Sequence, residues 1–435
     1  MKRGFLNTGK ARKPTLVTKP TNDPCGPGTC PSLDVGKFEL ADIKGTHPAV
    51  ALDLAQLGSG QVVVKLPAEK SDAPNAPKDY VIRDHQVAVC DSKVKEDKLY
   101  NTGDIIFKTV HPSPNDELTD GRNTWSECLF QGEKEIRILS SFPQFPASVP
   151  KPPQTCYRIS SSAHGMGMFA TRDLAPSDLI LAERPLLVVP QRDLNVVFTK
   201  AGHAQPPPVE AMEALLKVCV DRMLPDNRTA FFELHNCHTK DDPGPILGIV
   251  RTNGISIRIL TEPSKLGKDD PLDFSGIFQT MSRINHSCAP NITRHFDTAS
   301  FSLRLHAIRP IKAGEELLMS YVDMSLLKVK RQEKLRPYGF DCACKFCTNP
   351  NCDALLSRIL QYSIEETEPL EKLLQDSLRH IKEIEDANLE SLSAYFFWLS
   401  KAAAMLTRMN KWDNATEYLA MMQAWHSAKF GTPCL

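Results

Sequence analysis

Arg283-Ile284-Asn285-His286-Ser287-Cys288-Ala289-Pro290-Asn291 is followed by Gly314-Glu315-Glu316-Leu317-Leu318-Met319-Ser320-Tyr321, and then by Cys342-x-Cys344-x-x-Cys347. The three cysteines of the last segment fall one short of the four ligands that structural zinc takes at tetrahedral angles. Cys352 lies five residues further on and would close a local site, whereas Cys288 would close it across more than fifty residues. Cys288 is favoured, embedded as it is in a polar, proline-stopped segment. A metal held there would pin the stretch around Asn285 and His286 to the stretch around Tyr338 and Phe340, so that its binding energy builds a pocket. Buried free cysteines are the plainer reading of isolated thiols, but the tight triple spacing argues against it.

With 435 residues the chain exceeds the size at which one hydrophobic core keeps growing, and about three structural units are expected. Hydrophobic residues make up 41% and charged residues 24%, the balance of a soluble globular protein. No apolar run approaches the roughly 20 residues that span a bilayer, so no membrane role is expected. The 52 basic residues match the 52 acidic ones, and no global field favours nucleic acid or an anionic surface. Thirteen cysteines are an odd count, and no apolar signal core follows Met1. Clustered thiols of this kind suit metal in a reducing compartment, nuclear and/or cytoplasmic. Lys2, Arg3, Lys10, Arg12, Lys13 and Lys19 form a basic start without an acid, either a targeting signal or a solvated tail.

Sixteen of the 33 prolines precede residue 160, which disfavours long helices there. Gln61–Leu66 and Asp104–Thr109 have the composition of short strands. Residues 1–153 thus read as a proline-rich, partly disordered N-terminal extension of unknown function. Its end, Phe142–Pro153, reads as a linker at a domain boundary. Strand and turn signals follow from Tyr157 to Ala182. Met212, Leu216, Cys219, Val220 and Met223 then fall at helical spacing in an insertion near 190–275. Strand character returns at Phe301–Ile308 and Leu317–Tyr321. Beyond the cysteines, Leu370, Leu373, Leu374, Leu378, Ile381 and Ile384 mark one helix face, a second apolar run covers Tyr395–Leu406, and a last helix begins near Asp413. A small helical bundle is expected there.

Gly165-Met166-Gly167, Asn285-His286-Ser287-Cys288, Gly314-Glu315-Glu316-Leu317, Ser320-Tyr321 and the cysteine cluster, in this order, resemble the SET-domain lysine methyltransferases. The resemblance covers about residues 155 to 350. The long insertion, the Tyr338-Gly339-Phe340-Asp341-Cys342 spacing and the helical C-terminus are similar to the SET-and-MYND branch, without a recognisable MYND finger. It implies an α+β fold: a SET-domain β-fold of short curved sheets with knot-like threading, a helical insertion, a zinc-bound post-SET segment and a helical C-terminal domain. The partition implied is 154–323 for the SET domain, 324–352 for the post-SET segment and 353–435 for the helices.

The function implied is transfer of a methyl group from S-adenosylmethionine to a lysine of a histone or non-histone protein, with zinc purely structural. Lysine, with a pKa of about 10.4, must be held neutral to act as a nucleophile. Tyr321 is the implied catalytic residue. His164, Gly165, Met166, Gly167, Asn253, Ser282, Asn285, His286, Tyr321 and Phe340 are the implied cofactor contacts. Phe340 would stack on the adenine, and Tyr338 would line the lysine channel. Cys288, Cys342, Cys344 and Cys347 are the implied metal ligands. The partner is a protein with an exposed lysine. The alternative is a catalytically inactive SET-fold zinc-binding scaffold for protein interactions. Direct nucleic-acid binding at the cysteines is disfavoured, because Lys345 is set against Asp341 and Asp353.

Overall fold

A computed structural model describes residues 105–112, 125–131, 145–162, 165–191, 209–239, 244–259, 272–361 and 369–432, with the backbone of strands 38–43, 47–53, 61–65, 85–90, 198–200 and 203–205. Three sheets and a C-terminal set of helices enclose the motif-bearing segments. In the first sheet, Tyr157–Ser162 pairs antiparallel with Gly165–Ala170, which pairs antiparallel with Glu316–Met319. Glu316–Met319 then takes Asn285–His286 as a parallel partner, with Asn285 opposite Leu318 and His286 opposite Met319. Parallel partners need a crossover connection; here it is the hairpin of Ile292–Asp297 and Ser302–Ala307, which Leu179–Glu183 joins to complete the second sheet. Phe296, Phe301 and Phe145 meet edge-to-face against it, the arrangement aromatic quadrupoles prefer.

The third sheet is nine-stranded and shows why the N-terminal extension matters. Leu187–Pro190 sits between Leu272–Ile277, antiparallel, and Ser126–Gln131, parallel. Ser126–Gln131 pairs with Ile105–Val110, the strand expected at 104–109, and the sheet runs onward to the strands nearer the N-terminus, Gln61–Lys65 among them. Of the expected linker at 142–153, residues 145–153 are described, and they are laid on this body. Ala147 N donates to Ala299 O at 2.8 Å, Arg184 Nη2 donates to Ala147 O at 3.0 Å, and Val149 is buried. Proline content announces extended backbone, which packs as readily as it spans a gap.

The insertion is only partly helical. Helices Val209–Arg222, Pro225–Phe232 and Pro245–Asn253 are followed by Ile255–Ile259, a strand paired with Leu272–Ile277. Leu216, Cys219, Val220 and Met223 are buried as their spacing predicts. Helices Leu370–Asp386, Ser393–Arg408 and Trp412–Phe430 pack consecutively. Leu374, Ile381 and Ile384 face the core, whereas Leu378, between them, is 36% exposed and departs from the expected stripe. Among the described residues no helix is long and apolar enough to cross a membrane.

Candidate functional site

The approach to Asn285 is built by a carboxylate far away in sequence. Glu183, at the end of its strand, accepts hydrogen bonds from Thr280 N at 2.7 Å and Met281 N at 2.9 Å, the free backbone donors at the start of the Met281–Arg283 turn. Burial pushes the Glu183 carboxyl up to about 7, although those donors oppose the shift. The turn delivers Asn285 and His286 to the strand edge at Leu318 and Met319. Asn291 then locks the neighbour strand: its Nδ2 donates to Glu316 O at 2.8 Å and its Oδ1 accepts from Leu318 N at 2.8 Å. A side-chain amide thus substitutes for a missing stretch of ladder.

Where these segments meet lies a cavity of about 400 Å³, within the range that takes a small cofactor. Asn285, His286, Glu316, Leu318, Tyr321 and Phe340 are among its walls, with Arg309. Asn285 Nδ2 faces three acceptors: Glu316 Oε1 at 2.8 Å, Met166 O at 3.1 Å and Ser162 Oγ at 3.2 Å. Gly167 makes this approach possible. A Cβ there would run into Glu316 Oε1 and come within 3.2 Å of Asn285 Nδ2. Gly165, at φ 107°, needs the left-handed freedom of glycine.

Tyr321 N donates to His286 Nδ1 at 3.0 Å, so Nδ1 is an acceptor and the ring proton belongs on Nε2, which faces Cys288 Sγ at 3.3 Å. His286 therefore joins the backbone of Tyr321 to the cysteine cluster. The Tyr321 hydroxyl donates to Ile284 O at 2.6 Å. Its ring lies 5.2 Å from that of Tyr338 and 5.1 Å from that of His286, and Phe340 flanks His286 at 6.0 Å.

Not every expected contact gathers here. His164 lies outside the described residues. Asn253 is buried with its amide donating to His235 O at 2.7 Å and Ile249 O at 2.9 Å, and it does not line the cavity. Ser282 is buried, its hydroxyl without a hydrogen-bond partner among the described residues, and it too stands off the cavity wall. Gly165, Met166 and Gly167 do not line the cavity either; Met166 and Gly167 lie one layer back, against Asn285. Ser162, Glu183, Asn291 and Arg309 were not anticipated. Of these Asn291, like Glu316, stands within the motifs quoted at the outset, whereas Ser162, Glu183 and Arg309 lie outside them.

Cys288, Cys342, Cys344 and Cys347 bring their sulfurs within 4.8 Å of one another. Cys352 is not in this group, and its sulfur lies 3.8 Å from Asp353 Oδ1. Four sulfur donors, converging from two segments more than fifty residues apart, could hold a metal ion.

Residues 165–322 match the family model for the SET domain, so this chain carries a SET domain, an α+β fold of mixed short sheets and helices. It is similar to SET proteins of the SET-and-MYND kind. Over 185 residues it is 31% identical to histone-lysine N-methyltransferase set5 of Schizosaccharomyces pombe, covering 42% of this chain and 47% of that protein. Histone-lysine N-methyltransferase SMYD3 of Mus musculus is 36% identical over 110 residues, 25% of this chain and 24% of its own. A SET and MYND domain-containing protein of Dictyostelium discoideum is 33% identical over 114 residues, 26% of this chain and 32% of its own. The chain spans about half the length of the first of these relatives and less of the others.

Proposed function

We propose that the protein is an S-adenosylmethionine-dependent protein-lysine N-methyltransferase, acting on a histone or non-histone protein in the nucleus and/or cytoplasm. The observation that carries this reading is the convergence of Asn285, His286, Glu316, Phe340 and Tyr321 on one cavity, from segments whose order matches the SET domain. The chain would divide into a SET domain at 154–323, a metal-pinned segment at 324–352 and helices at 353–435, behind the N-terminal extension.

The cavity fits the cofactor by chemistry as well as size: aromatic surface from Phe340 for a purine, and amide, imidazole and carboxylate groups for its polar ends. When bound, S-adenosylmethionine supplies an electrophilic methyl group. Tyr321 orients the incoming amine. The phenolic proton goes to Ile284 O, so toward the amine the hydroxyl would act through its oxygen, accepting an N–H and turning the nitrogen lone pair toward the reaction. No general-base role is required of it. Tyr338, beside Tyr321, would wall the lysine channel. Zinc at Cys288, Cys342, Cys344 and Cys347 would be structural, fixing the chain on both sides of the cavity.

The test is transfer of labelled methyl from S-adenosylmethionine to core histones and to whole-cell protein, beside the Tyr321→Phe variant. Label that depends on Tyr321 supports the enzyme and reports the substrate class by band. Absence of both label and cofactor binding would favour a zinc-pinned scaffold.

A further inference from the structure

Helix Lys328–Leu335 follows Tyr321 and turns two consecutive side chains toward the cysteines. Gln332 grips the backbone of Cys342 twice, donating from Nε2 to its carbonyl and accepting its N–H, each at 2.8 Å. Arg331 does something that backbone positioning does not explain. It is 0% exposed, yet among the described residues no carboxylate pairs with it. Its guanidinium donates from Nη1 to Leu326 O, points Nη2 at Cys347 Sγ at 3.6 Å and lies over the Phe346 ring at 5.0 Å.

An arginine cannot shed its proton to escape burial, and a buried cation without an anion carries a large desolvation penalty. A carbonyl and an aromatic face offset only part of it. The remaining neighbour is sulfur. Four protonated thiols would offer no charge, whereas four thiolates around a divalent cation carry a net charge of two minus. Arg331 therefore matches the loaded cluster and not the empty one.

We propose that Arg331 is the built-in counter-charge of the tetrathiolate site, a positioning residue whose N–H on the Cys347 sulfur sets how firmly the metal is kept. This rests on the metal reading above. Removing the charge leaves the loaded cluster with uncompensated negative charge and the Cys347 sulfur more exposed to attack. It also relieves the metal-free protein of an unpaired buried cation, so the two forms respond in opposite directions.

The experiment uses the full chain, prepared with zinc, as wild type, Arg331→Met and Arg331→Lys. Zinc content is measured first, then the rate of zinc transfer to the chromophoric chelator 4-(2-pyridylazo)resorcinol, and the melting temperature before and after metal removal. Arg331→Met is expected to release zinc roughly ten- to a hundredfold faster, the range for outer-shell partners of metal ligands. Its melting temperature should drop in the loaded form and not in the metal-free form. Arg331→Lys, which keeps the charge, should release zinc close to the wild-type rate. Release at the wild-type rate from Arg331→Met, or an equal drop in both forms, overturns the proposal and leaves Arg331 as packing. Should Arg331→Met fail to fold, the lysine variant decides: zinc held supports the charge role, and a folded protein that loses zinc at once overturns it. Wild-type protein without zinc would instead defeat the tetrathiolate reading, and this inference with it.

Discussion

Tyr321 has its phenolic proton committed to Ile284 O, so Tyr321→Phe removes the oriented oxygen and one hydrogen bond while leaving the ring against His286 and Tyr338. Turnover should fall by roughly a hundredfold, the cost of a lost orienting contact, and the stability loss should stay at about 1–3 kcal/mol; methyl transfer and denaturant unfolding measure the two. Glu183 makes a different prediction. Its carboxyl is raised from 4.5 to about 7 by burial, so its stabilising contribution is complete below about 4.5 and is lost as pH climbs through 7. Wild type should therefore lose on the order of 3 kcal/mol relative to Glu183→Gln between pH 4.5 and 8, read as the difference between two unfolding curves. A flat difference would contradict it. Asn285, His286, Tyr321 and Phe340, which line the cavity, were legible as candidates because they sit in spaced motifs. Glu183 was not, since its bond to Met281 crosses 98 residues and depends on the fold being closed.

Strands and helices divide by how much of their pattern is local. The helix face of Leu374, Ile381 and Ile384 is written in its own spacing, and Leu378 departs from it only because nothing packs over that position closely enough to bury it. Ile255-Ser256-Ile257-Arg258-Ile259 alternates with the period of a strand, a signal hidden by the helical stretch before it, and the fold uses it as a partner of Leu272–Ile277. Gly-x-Gly was legible, but its purpose was not: Gly167 makes room for Glu316 and Asn285. Gly167→Ala should displace both groups and reduce turnover by roughly a hundredfold, the cost of small misplacements at a reacting site, with the circular dichroism of the helices preserved. Unchanged turnover would mean that the Asn285–Glu316 contact does not organise the cavity.

The body formed by the SET domain and the N-terminal strands is held at its seam by a buried ion pair. Glu127, on the strand that joins Leu187–Pro190, meets Arg222, at the end of the insertion's first helix, at 2.9 Å, and Thr109 bonds to both. Arg222→Met strands the carboxylate and should cost about 3–5 kcal/mol, much of it recovered when Glu127 is replaced by leucine as well; denaturant midpoints of the single and double variants test this. The cysteine cluster is a second seam. Cys344→Ser should release the metal and lower the melting temperature, and an equally stable, equally active variant would remove the metal from the account. The cysteine seam was legible from the triple spacing and the lone Cys288, which meet as expected; the ion pair was not, because Glu127 and Arg222 lie on segments that only the closed fold makes neighbours.

Direct titration of S-adenosylmethionine into zinc-loaded protein, by calorimetry, bears most directly on the claim that the cavity of Asn285, His286, Glu316 and Phe340 is a cofactor site. Saturable binding to one site per chain, weakened in Gly167→Ala, is the expected result. No binding by folded, metal-loaded protein would contradict the enzyme and leave a SET-fold scaffold.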